Sequence, residues 1–125
     1  MSVTAFKDLP LASRDREWDH DAAEARVRRW AKAQDHPNAK YRGAHVWYDA
    51  DNKDEFGAYK LLIADVINGQ LKVVPRAVMS AGGIMDGARG GVRIPPQDVP
   101  RVKSHLAKYY NKMGDDAPWQ RARAS

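Results

Sequence analysis

The stretch that most constrains this chain is Leu62–Pro75, which reads Leu-Ile-Ala-Asp-Val-Ile-Asn-Gly-Gln-Leu-Lys-Val-Val-Pro. Two β-prone runs flank Asn68-Gly69. A type I′ turn needs positive φ at both central residues, and Asn-Gly supplies it at little cost, so the stretch predicts a tight hairpin. Pro75 closes the second strand and suits the first turn of a helix, where its missing N–H is not required. A strand, a turn, a strand and a helix start thus fall within fourteen residues. None of them carries reactive chemistry.

The remaining elements follow from periodicity and punctuation. Residues 1–17 read as an irregular arm interrupted by Pro10 and ending in a charged run. A helix is predicted over about 19–34. Asp19 or Asp21 caps it, and Ala23, Val27, Trp30 and Ala31 form its buried stripe. Asp35–Asn38, with Pro37, stops it. Ala44–Tyr48 is a short β-prone run, followed by an acidic loop whose spacing does not match an EF-hand. Ala58–Ile67 reads as one strand, with Tyr59, Leu61, Ile63 and Asp65 on one side, and Leu71–Val74 returns against it. Helices are expected at about 75–86 and 98–113, the latter with Asp98 as N-cap, a stripe of Val99, Val102, Leu106, Tyr109, Tyr110 and Met113, and Gly114 as its stop. The sum is one α+β domain over 18–113. Its small antiparallel sheet is centred on the hairpin at about 58–74, about three helices pack on it, and 114–125 forms a C-terminal tail.

Composition narrows the chemistry. The 125 residues include no cysteine, which excludes thiol catalysis, Cys-based zinc sites and disulfide scaffolds. No apolar run approaches the roughly 18 residues of a membrane span, and no secretory signal is apparent, so no membrane partner is expected. Lys and Arg total 21 against 16 Asp and Glu, a formal charge of +5. Such a balance favours acidic or nucleic-acid partners without specifying either. The basic positions that would serve an anion or nucleic-acid surface are Arg28, Arg29 and Lys32 on the first helix, Arg89 and Arg93 beside the glycine-rich run 82–91, and Lys108 and Lys112 on the last helix. That run lacks the ending of a P-loop and the leading strand of a dinucleotide fingerprint, so it reads as a helix cap and connector. His20, His36, His45 and His105 lie on different elements without metal-binding spacing. Ser80 and Ser104 sit in no nucleophile elbow. No enzymatic activity, metal or cofactor is expected. Trp18, just ahead of the first buried stripe, and Trp119, in the tail, are the residues singled out for partner contact.

Several stretches taken together resemble a known family: Leu9-Pro-Leu-Ala with Arg14-Asp-Arg-Glu-Trp-Asp, Tyr59-Lys-Leu with Ile63-Ala-Asp-Val, Val74-Pro-Arg-Ala, Gly87-Ala-Arg-Gly-Gly, and Val102-Lys-Ser-His-Leu-Ala-Lys-Tyr-Tyr. Their order and spacing, over about residues 9–113, are similar to a small domain of unknown function in tailed bacteriophages and prophages, which occurs alone or joined to head-morphogenesis proteins such as prohead proteases. No catalytic or ligand residue carries over, and no protease motif is present. The resemblance implies a non-enzymatic structural protein that is made in the host bacterial cytoplasm and resides in the virion. It would bind the capsid as a decoration or head-associated subunit, through its domain surface and terminal segments, with a homo-oligomer as a further arrangement. Two alternatives stand beside it: a small basic DNA-binding or packaging-associated phage protein, and a phage inhibitor of a host protein.

Overall fold

Asn68 and Gly69 both adopt left-handed backbone conformations, φ 54° and 76°, as a type I′ turn requires. The computed structural model describes residues 3–87 and 93–120. In it, β3 (Ala64–Ile67) and β4 (Gln70–Val73) form the expected antiparallel hairpin, with Ile67 opposite Gln70 and Ala64 opposite Val73. A second antiparallel pair joins β1 (His45–Tyr48) to β2 (Tyr59–Leu62). The architecture is therefore α+β, with two small two-stranded sheets and helices packed against them.

The single strand expected over 58–67 is divided at Ile63. Leu61 has φ 60°, which breaks the alternation of faces. Its first half pairs with β1, its second with β4. Ile63 bridges the two, its N–H donating to the Ala44 carbonyl and its own carbonyl accepting from Val74 N–H. Tyr59, Leu62, Ile63, Ala64 and Asp65 are consequently all buried.

The helix α1 (His20–Trp30) is capped by Asp19, whose carboxylate accepts from Ala22 N–H at 3.1 Å. It ends four residues before the expected boundary of 34. Lys32 turns left-handed at φ 55°, and the N–H groups of Ala33 and Lys32 return to the carbonyls of Arg28 and Arg29, which is a Schellman stop. Asn38 then donates to the Ala31 carbonyl at 2.7 Å and caps the short α2 (Ala39–Arg42) by accepting from Tyr41 N–H. This short helix has no counterpart in the sequence pattern, its single turn being set by the Asn38 cap. The helix α3 (Pro75–Met85) starts at Pro75 as expected, and α4 (Val99–Lys112) ends in a second Schellman stop at Gly114, φ 82°. Asp98 occupies the N-cap position of α4 but makes no capping bond; its carboxylate accepts instead from the Trp47 indole at 3.0 Å.

The core gathers Val27, Tyr41, Val46, Val73, Val74, Val78, Val102, Leu106 and Tyr109, drawn from both sheets and all four helices. Here α1 packs on β3, and α4 packs on α3 and β1. Gly82 of α3 packs directly against the Tyr110 ring of α4. A Cβ there would stand 2.9 Å from two ring carbons of Tyr110.

The N-terminal arm is part of this structure. Val3 and Thr4 lie along β1, where Thr4 N–H donates to Val46 O. Pro10 and Ala12 lie along the outer edge of β4, exchanging two hydrogen bonds with Val73. Between these points the arm is bound to α4. His105 donates to Thr4 O, the Tyr109 hydroxyl donates to Lys7 O, and Lys112 meets both Asp8 and Leu9 O.

Candidate functional site

Among the described residues no group of three or more His, Asp or Glu is gathered in a manner suited to a metal ion, so the sites to weigh are surfaces. The one buried carboxylate is Asp65, 2 % exposed. Arg26 grips it at 2.8 and 2.7 Å, Arg16 approaches at 3.1 Å, and Val66 N–H adds a fourth bond at 2.7 Å. Burial alone would raise its pKa; the two guanidinium groups outweigh that and hold it below the usual carboxylate range. Every acceptor direction is filled from within the chain, so this cluster ties the end of the arm, through Arg16, and α1 to β3.

The two buried histidines are likewise occupied. His45 donates through Nδ1 to Tyr41 O at 3.1 Å, and His105 to Thr4 O at 3.0 Å. Burial pushes both down to a pKa of about 4, which keeps them neutral at ordinary pH. Ser104 shares a groove with His105, but the His105 Nδ1 is committed to the arm. The leading carboxylate of the acidic loop, Asp49, accepts from Asp51 N–H and Asn52 Nδ2 within its own turn.

The singled-out aromatics both lie against their own domain. Trp18 packs partly buried beside a groove between β2 and α3, lined by Leu61, Ala77, Ala81 and Ile84, with its ring edge-on to His20. Trp119 folds back from the tail onto α4, edge-on to Tyr110 at 6.3 Å and beneath the Lys103 ammonium at 5.4 Å.

The basic positions divide between elements and serve different ends. Arg28 lies 3.5 Å above the Phe56 ring and 3.5 Å from Glu24, which also accepts from the buried Tyr41 hydroxyl at 2.8 Å. Arg29 is exposed beside it, in a depression shared with Asp21 and Glu24, and Lys32 is exposed at the helix stop. Lys108 covers Phe6, and Lys112 pairs with Asp8 at 2.7 Å. Arg93 is exposed; Arg89 lies outside the described residues. Arg28, Arg29 and Lys32 share α1, while Lys108 and Lys112 are bound up with the arm on α4. A phosphate-tracking surface is better served by one continuous stripe of unpaired cations.

A further groove involves residues that sequence reading did not single out. It runs between the arm and α2, lined by Val3, Thr4, Lys7, Ala39, Arg42 and Tyr48. The arm's attachment to β1 creates it, and attachment at such range has no local signature. Comparison with known protein families, with curated proteins and with solved structures finds no match to this chain.

Proposed function

We propose that the chain is a non-enzymatic structural protein of a tailed bacteriophage, docking on the capsid as a decoration or head-associated subunit. This reading rests on the resemblance read from the sequence over about residues 9–113, to a phage domain found alone or joined to head-morphogenesis proteins. One structural observation is in keeping with it. The segments near the two ends run together along α4: Arg14 donates to Met113 O at 2.8 Å and pairs with Asp115 at 2.6 Å, while Lys112 holds Asp8 and Leu9. Residues 8–14 and 112–115 thus meet on one side of the domain, an arrangement that suits a self-contained unit. The arm and Trp119 are engaged with their own domain, so the docking contacts fall to the domain surface. Many weak contacts become effective on a repeating shell.

The test is co-expression with the major capsid protein of the same phage, followed by particle fractionation and mass spectrometry. Recovery in fixed proportion to the shell is the expected outcome. Absence from assembled particles overturns the reading.

A further inference from the structure

Among the described residues, three arginines bury their Nε atoms without a hydrogen-bond partner: Arg16, Arg28 and Arg42. Two of them set their outer nitrogens on a carboxylate, Arg16 on Asp65 at 3.1 Å and Arg28 on Glu24 at 3.5 Å. Arg42 differs. Its guanidinium lies over the Tyr48 ring, 4.7 Å from the centroid, and it meets no carboxylate, although every Asp and Glu of the chain lies among the described residues. A partly desolvated guanidinium left without an anion is electrostatically unsatisfied, and its attraction for one is stronger than that of a fully hydrated cation.

The groove around it supplies a second cation and no competing acid. Lys7 is exposed on the same wall, its Nζ 3.9 Å from where a Cβ on Gly43 would stand. Tyr48 adds an aromatic wall, and Val3, Ala5 and Ala39 make most of the remainder apolar. The space is about 350 Å³, room for one or two side chains and a short piece of backbone.

We propose that this groove binds an acidic segment of a partner protein, with an Asp or Glu carboxylate taken by the outer edge of Arg42 and by Lys7. The Tyr48 face fixes the guanidinium plane, so its fork is presented in a set direction. The apolar wall favours a peptide over a polynucleotide, whose phosphates call for a longer run of cations. The inference does not rest on the phage reading. An acidic peptide probes the groove directly, and capsid recovery tests the other claim.

The experiment is a titration of the full, 15N-labelled chain with acetyl-hexaglutamate amide at low salt, read by amide shifts. Saturable shifts centred on Lys7, Gly43 and Tyr48 are expected. Arg42→Gln should weaken binding by about tenfold, as loss of a charge-assisted pair does. Lys7→Gln, at an exposed position, and Arg42→Lys, which keeps the charge but not the fork, should weaken it as well, and both keep the test open if Arg42→Gln fails to fold. The pair Arg29→Gln/Lys32→Gln removes more charge elsewhere and should leave these shifts unchanged. Shifts spread along α1, equal loss in that control, or a response at this groove to oligo(dT) in place of the peptide would each overturn the assignment.

Discussion

Asp65 shows how far a single side chain can reach across this structure. It was legible as a strand residue but not as the centre of an ion cluster, because Arg16 and Arg26 stand 49 and 39 positions away and no local pattern joins them. Removing the carboxylate leaves two guanidinium groups without their shared partner. Asp65→Asn is therefore expected to lower stability by about 2 kcal/mol, less than a fully buried triad would lose because both arginines remain partly hydrated; urea unfolding measures it. The buried histidines set the acid limb. Each is held at a pKa of about 4, against roughly 6.5 when unfolded. Between those values the unfolded chain binds more protons, so stability falls as pH drops from about 6.5 towards 4 and the histidine contribution levels off below that. Asp65 acts in the same direction at lower pH: its depressed pKa sustains stability above the unfolded value of roughly 3.9, and that support is lost as pH falls through the folded value. Unfolding midpoints of His45→Gln and His105→Gln should vary less across pH 4–6.5 than those of the unaltered chain.

At the level of elements, local signals read well wherever local chemistry decides. The Asn68-Gly69 turn, Pro75 at the start of α3, Asp19 as a cap and Gly114 as a stop all work through their own backbone or one neighbouring turn. Two of the misreadings come from distant partners. Asp98 serves Trp47 rather than its own helix, and the 58–67 strand is divided because its halves answer to β1 and β4 separately. Lys32 ends α1 in a conformation that disfavours any side chain with a Cβ. Lys32→Gly should therefore raise stability by about 1 kcal/mol, measured by thermal or urea unfolding. Gly82 is a packing requirement between α3 and α4. Gly82→Ala drives a methyl group against the Tyr110 ring and should cost about 1–3 kcal/mol; adding Tyr110→Leu to it should cost less than the two single losses summed, read by a double-mutant cycle.

Across the whole molecule, the arm is the feature least visible in sequence. Pro10 and the charged run mark it as irregular, and its register against β1 and β4 depends on edges assembled from residues far along the chain. It bonds to the outer edges of β1 and β4 at Val46 and Val73, edges that otherwise present unpaired backbone groups prone to associate. Removing residues 1–12 should lower the unfolding midpoint and increase self-association in sedimentation relative to the full chain. The same arrangement bears on synthesis. The arm is made well before its last support, since Lys7 is met by Tyr109, 102 positions later. At roughly 5–20 residues per second that interval lasts about 5–20 s. During it β1 and β4 are completed first, so the arm can reach its bonds to Val46 and Val73 before α4 is made to hold it.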